Sequence, residues 1–187
     1  GGSAQEFVTY AKANPGKLSF GSAGTGSSPH LAGEMFKRQA GFDATHVPYK
    51  GAAPALTDLL AGQVQFMFDP GPGLRHARDG KLKLLAVGSP RRASAYPDVP
   101  TLAEAGMTGF DADTTFGIYA PGGTPAALVT QLHDEVNKAL ATPKLAEVMK
   151  TLGAELSAQS RADFIAAQQR DRQRLGAFIR EAGIRAE

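Results

Sequence analysis

The chain contains no cysteine, no tryptophan and only four histidines. Each absence narrows the chemistry. Without cysteine there is no disulfide, no thiolate nucleophile and no thiolate–metal site, and the redox compartment stays open. The histidines, at positions 30, 46, 76 and 133, show no i, i+4 pairing that would hold zinc on a helix, so no metal is expected. An excess of one charge is missing too: 20 basic against 18 acidic residues leave a net +2. Lysine and arginine are dispersed, so the basic stripe of a nucleic-acid binder is absent and no nucleic-acid partner is expected. The densest basic feature, Arg170–Arg174, alternates with Asp171 and Gln173 and reads as a solvated helix face. No apolar run reaches the length of a membrane span, and these residues show no signal-peptide pattern. What remains is ordinary for a globular protein. The 187 residues are 42% hydrophobic and 20% charged, enough for one substantial core or two small ones.

The most informative stretch is Gly21-Ser-Ala-Gly-Thr-Gly-Ser-Ser-Pro-His30. A strand-like run, Lys17–Phe20, precedes it, and Leu31, Met35 and Phe36 follow on one helical face. The pattern predicts strand, small-residue loop, helix, with Ser28 as N-cap and Pro29 at the first helical position. Three glycines and three serines keep bulk away, so a ligand can reach backbone N–H groups at the positive end of a helix. Such a loop suits an anion. It is not a P-loop, because Ser27 stands where that motif needs lysine. It is not a dinucleotide fingerprint, because Pro29 stands where a glycine is required. No Gly-x-Ser-x-Gly elbow fits these serines. The plainer alternative is a connector whose glycines only satisfy turn geometry.

Along the chain, Ser3–Glu6 forms a capping box for a helix to Ala13, and a helix from Ser28 to Ala40 stops at Gly41. Further strands are expected at Ala44–Val47, Val64–Phe68 and Leu82–Val87. A helix with Leu56, Leu59 and Leu60 inward and a short polar helix with Arg75 and His76 separate them. Strands alternating with helices argue for βα units, a parallel sheet and an α/β fold. Beyond Gly88 the texture changes. Thr101–Glu104 offers another capping box, and Ala112–Tyr119 and Glu155–Ser157 read as strands. Thr124-Pro125, Thr142-Pro143 and Ser160 open three amphipathic helices. Each of these helices needs a covered apolar stripe, yet hardly any strand lies nearby in sequence to build a sheet beneath them.

Several blocks then occur in order: Ala11-Lys-Ala-Asn-Pro-Gly-Lys-Leu18, the Gly21–Leu31 loop, His46-Val-Pro-Tyr-Lys-Gly51 and Asp58-Leu-Leu-Ala-Gly-Gln-Val64. Met67-Phe-Asp69, Pro97-Asp-Val-Pro-Thr101 and Ala120-Pro-Gly-Gly-Thr-Pro125 follow. Together they resemble the solute-binding proteins of tripartite tricarboxylate transporters, the Bug family, from near residue 5 to the C-terminus. The resemblance implies a periplasmic, non-enzymatic receptor without cofactor or metal. Such a receptor captures a di- or tricarboxylate or related organic acid and passes it to membrane transporter subunits. The implied architecture is periplasmic-binding-protein-like (type II), with two α/β lobes joined by crossing strands. Residues 4–111 would form the second, ligand-binding lobe. Residues 112–187 would supply the crossing strand and C-terminal helices of the first lobe. Family members carry a preceding signal peptide and a stretch that supplies most of the first lobe's sheet. That stretch is not in this sequence, so an N-terminal truncation is expected.

Position by position, the resemblance places the carboxylate site on Ser22, Ala23, Gly24, Thr25, Gly26, Ser27 and Ser28. Neutral donors suit it, since hydrogen bonds to an ionised oxygen are strong. His30 reads equally as a contact or a packing residue. Tyr49 offers a hydroxyl or an amphipathic buried ring. Asp69, at a strand's C-terminal end, sits where open α/β sheets place ligand contacts, or else caps its own turn. Thr114, Thr115 and Phe116 occupy the place where relatives carry an aromatic and a hydroxyl residue on the crossing strand. Two other readings stand beside the receptor. One is an enzyme with Asp69 or His46 as base, although the spacings yield no nucleophile–base–orienter set and no catalytic residue is assigned. The other is an interaction module whose exposed first-lobe helices form a homodimer.

Overall fold

The computed structural model describes residues 2–185. Gly1 of the opening Gly1-Gly2-Ser3 and the last two residues of the 112–187 segment lie outside the described residues. In chain order the elements are α1 (Ala4–Ala13), β1 (Ser19–Ser22), α2 (Ser28–Ala40), β2 (Thr45–Pro48) and α3 (Ala52–Leu60). They continue with β3 (Phe66–Met67), α4 (Leu74–Arg78), α5 (Ala126–Leu140), α6 (Pro143–Thr151) and α7 (Arg161–Ala182).

The strands form one parallel sheet in the order β2-β1-β3, with Phe20 beside His46 on one side and beside Phe66 on the other. β1 is therefore the central strand, and central parallel strands are buried on both faces. Phe20 and Ser22 accordingly have no exposed surface. The fold is α/β, a parallel sheet flanked by helices. Its core is largely aromatic. Phe7, Phe20, Phe36, Phe42, Phe66, Phe68 and Phe110 meet in one cluster with Leu18, Leu102 and Met107. Edge-to-face pairs such as Phe7–Phe66 at 5.2 Å and Phe36–Phe42 at 5.1 Å fix its geometry. Among the described residues, every buried one precedes Asp111, so this core belongs wholly to the N-terminal part of the chain.

The helix ends follow local chemistry. Ser3 Oγ accepts the Glu6 amide at 3.2 Å and Ser160 Oγ that of Asp163 at 3.1 Å, as N-caps do. Gly41 ends α2 in the left-handed conformation, φ 70°. Four expectations are corrected. The N-cap of α2 is Ser27, not Ser28, because Ser27 holds the extended backbone and helix begins at Ser28. Leu82–Val87 forms no strand; only Val87 bridges to Thr101, and no ladder partner stands beside the remainder. Ala112–Tyr119, expected as the crossing strand, and Glu155–Ser157 have no strand alongside them and form none. At Thr101 the reciprocal box does close: Thr101 N–H donates to Glu104 at 2.8 Å, and Glu104 N–H donates to Thr101 Oγ1 at 3.1 Å. It caps a turn rather than a helix.

The C-terminal helices rest lightly on this unit. Arg38 of α2 lies 5.7 Å from the Phe178 ring of α7, and Arg174 of α7 pairs with Asp111 at 3.9 Å. Tyr119 donates its hydroxyl proton to Gln168 of α7 at 2.9 Å. Beside these contacts Phe116, Ile118 and Tyr119 remain 81%, 78% and 68% exposed.

Candidate functional site

β1 ends at Ser22, and the chain turns through Ala23–Ser27 into α2. Gly24 and Gly26, at φ 127° and 78°, take backbone conformations that side chains disfavour, so both glycines are needed to make the turn. The turn's polar groups are then shared out. Gly24 N–H donates to Ser22 Oγ at 3.1 Å, and Gly26 N–H donates to His30 Nδ1 at 3.0 Å. The Gly24 carbonyl accepts from the Ser27 hydroxyl at 2.6 Å and from the Ser27 amide at 3.1 Å. Three of the loop's amides, those of Gly24, Gly26 and Ser27, are thus satisfied within the chain. The N–H groups of Ala23, Thr25 and Ser28 have no acceptor among the described residues, and no side chain caps α2. Ser28 opens the 13-residue α2 at its positive end, and Ala23 and Thr25 lie in the turn that leads into it. That arrangement favours an anionic oxygen.

Behind the loop lie two histidines. Ser22 Oγ is 2.6 Å from His46 Nε2, and the His46 ring stacks on His30 at 3.7 Å with 6° between planes. Burial pushes the His46 imidazole down to about 4, helped by the neighbouring His30 and by Lys37. Burial also lowers His30, with Glu34 opposing and Lys37 assisting. Both rings are therefore neutral at pH 7. Ser22 has no solvent-accessible surface, so its short bond to His46 braces the turn rather than arming a nucleophile.

The other expected residues scatter. Tyr49 closes onto the loop through its N–H, which donates to the Ser22 carbonyl at 3.1 Å. Its hydroxyl donates to Asp58 at 2.7 Å, and that bond pushes the phenol up to about 12. Asp69 spends one carboxylate oxygen on the amides of Gly71 at 2.9 Å and Gly73 at 2.8 Å, the turn-capping alternative; its other oxygen is buried without a partner. Asp69→Ala is expected to cost about 1.5 kcal/mol in urea denaturation, with Asp69→Asn retaining most of it, because the amide oxygen still accepts both bonds. Thr114 and Thr115 line a cavity of about 190 Å³ together with Ser28, Met35 and Gln168. Ser28 and the two threonines are thus brought together, whereas Phe116 points to solvent, outside that cavity. Sequence reading missed Gln168, Asp58 as the partner of Tyr49, and His46 as a brace of the loop. Ser22 and His46, 24 positions apart, are brought together by parallel strand register, which leaves no local signal. Among the described residues no cluster of metal-ligating side chains occurs.

The parallel sheet, whose central strand delivers a glycine–serine turn to a helix amino terminus, is similar to solved periplasmic binding protein structures. The chain belongs to the tripartite tricarboxylate transporter receptor family: the family model of that description, TctC, matches residues 2–184. A protein of Pseudomonas sp. (strain P51), described as UPF0065 protein in the tcbD-tcbE intergenic region, is 44% identical over 150 residues. The match takes in 79% of this chain and 45% of that protein. Among solved structures, R. palustris Rpa4515 with adipate superposes with a TM-score of 0.91 at 32% identity, covering 98% of this chain and 62% of that one. MatC from Rhodopseudomonas palustris with bound malate gives 0.80 at 30% identity, covering 95% and 62%. The chain spans about half the length of the curated relatives it matches first. The family and its solved neighbours are solute-binding proteins, not enzymes, so the reading of Asp69 or His46 as a catalytic base falls.

Proposed function

We propose that this chain is the ligand-holding part of a periplasmic receptor that captures a small organic carboxylate for the membrane subunits of a tripartite tricarboxylate transporter. The observation that carries the reading is the set of N–H donors at Ala23, Thr25 and Ser28, in the turn into α2 and at its first residue, which have no acceptor among the described residues. They suit a carboxylate, because charge-assisted bonds from neutral amides hold an anion without requiring a lysine or arginine. The relatives solved with adipate and malate support the ligand class. Ser22, Gly24, Gly26, Ser27 and His30 shape the loop in this reading, and Ser28 and Thr115 share its rim. Residues 4–111 act as the second lobe, and residues 112–187 as a connection followed by helices of the first.

Titration with adipate or malate up to roughly 10 mM is expected to move the amide resonances of Ala23, Thr25 and Ser28 before any others. Ser28→Pro removes a donor at a helical position that tolerates proline, and is expected to weaken binding about tenfold with the fold intact. Shifts spread over the surface, or none, would overturn the assignment.

A second reading rests on the exposed Phe116, Ile118 and Tyr119. In it these side chains dock on a second copy of the chain, since an apolar patch of this kind marks an interface. Light scattering over rising concentration tests it, and a constant monomer mass rejects the dimer.

A further inference from the structure

We propose that the stacked His30–His46 pair is the positioning element of the anion loop: each imidazole engages one internal polar group of the turn, and this leaves the remaining N–H groups facing the ligand. The inference rests on the carboxylate reading of that loop. The geometry is specific. His46 Nε2 meets Ser22 Oγ at 2.6 Å where the turn begins, and His30 Nδ1 accepts the Gly26 amide at 3.0 Å where it ends. Ser22 Oγ in turn accepts the Gly24 amide, so both glycine amides are oriented, directly or through one hydroxyl, by the two rings. The rings hold each other by face contact at 3.7 Å, and Phe20 of the central strand abuts His46 at 5.0 Å and His30 at 6.3 Å. The loop is thereby referenced to the sheet rather than left to its glycines, which alone would let it sample many conformers. A preorganised donor set binds better because its ordering cost is met before the ligand arrives.

Neutral rings are required, since an imidazolium has no lone pair for the Gly26 amide. The charged groups around the pair are Glu34 and Lys37 of α2, which bridge to each other at 3.0 Å, with Lys37 also 5.5 Å from the Phe20 ring. Tyr49 and Asp58 close the other side of the strand through their mutual bond.

The test uses the full chain, with hydrogen exchange at Gly24 and Gly26 as a ligand-free readout and adipate and malate as probes. His30→Phe keeps an aromatic ring and loses the acceptor. It is expected to speed Gly26 exchange about tenfold and to weaken carboxylate binding about tenfold, with Val47 exchange unchanged. His30→Asn places an oxygen where Nδ1 stood and is expected to restore both. His46→Phe and His46→Gln form an independent pair read at Gly24, which decides the matter should His30→Phe not fold. Equal exchange and affinity in wild type and the Phe variants, or no recovery in Asn and Gln, would overturn the proposal. Should wild type bind neither probe while the exchange pattern holds, the positioning role stands and the carboxylate reading falls.

Discussion

Gly33→Val is expected to destabilise the protein by about 3 kcal/mol or more. Gly33 lies buried on the face of α2 that meets the sheet, and a Cβ built there would stand inside the ring of Phe20. Phe20 cannot yield. It is fully buried and is packed against His46 at 5.0 Å and Phe66 at 5.3 Å. Either the helix lifts from the strand or the ring leaves its place in the core, and close-packed interiors resist both. Gly33→Ala separates the two contributions. Alanine favours the helix by about 1 kcal/mol over glycine, so the collision costs about that much more than any net loss seen in that variant. Gly123→Ala, at a site open to solvent with nothing near the added methyl group, is the control, expected within about 0.5 kcal/mol of wild type. Urea denaturation reads all three. A Gly33→Val protein as stable as wild type would mean that α2 and β1 do not meet as described.

Much of this arrangement is written locally in the sequence. The βα unit from residue 17 to 40 announces itself because three periodicities change at adjacent points: a short apolar run, a glycine–serine turn, and apolar residues at helical spacing. The Ser3 and Ser160 caps are equally local, since a hydroxyl three residues before an acidic side chain satisfies its own helix end. Ser27 and Ser28 are harder to separate, because either serine before Pro29 fits the rule. The tie is broken by the Gly24 carbonyl, which engages Ser27 by hydroxyl and amide and so holds it outside the helix. Strands fail for a different reason. A helix closes its hydrogen bonds on itself, but a strand exists only beside another. Leu82–Val87 and Ala112–Tyr119 have the composition of strands without neighbours to pair with, and composition cannot report a missing neighbour.

The site shows the same limit. Loop chemistry is legible: small residues, a helix start, and no lysine to make it a nucleotide site. What the sequence hides is that the loop's donors are of two kinds. Gly24 and Gly26 spend their amides inside the chain, on Ser22 Oγ beside His46 and on His30 Nδ1, while Ala23, Thr25 and Ser28 do not. His46 comes from a different strand. The composition of the loop therefore suits an anion, and the packing behind it leaves the amides of Ala23, Thr25 and Ser28 open to one.

Acidification from pH 7 to pH 5 is expected to lower the free energy of unfolding by roughly 2 kcal/mol, mostly through His46. In the unfolded chain this imidazole takes up its proton near 6.5; in the folded protein burial holds it down at about 4. Between those values the unfolded state binds more protons than the native one. Stability is therefore fully present above the unfolded value and is lost as the pH falls toward the folded one. His30 shifts in the same direction and adds to the loss, and a second charge on a ring stacked at 3.7 Å would be repelled by the first. The depressed carboxyls of Glu6 and Glu104 have ordinary values of 4.5 and lie below, so they contribute little in this window. Urea denaturation at pH 7, 6 and 5 measures the slope, and His46→Gln, which cannot be protonated, is expected to remove most of it while keeping the bond to Ser22. An undiminished slope in that variant would place the acid sensitivity elsewhere. A flattened slope, with Gly24 losing its exchange protection at acid pH in wild type but not in His46→Gln, ties the loop's order to the charge state of the His46 ring.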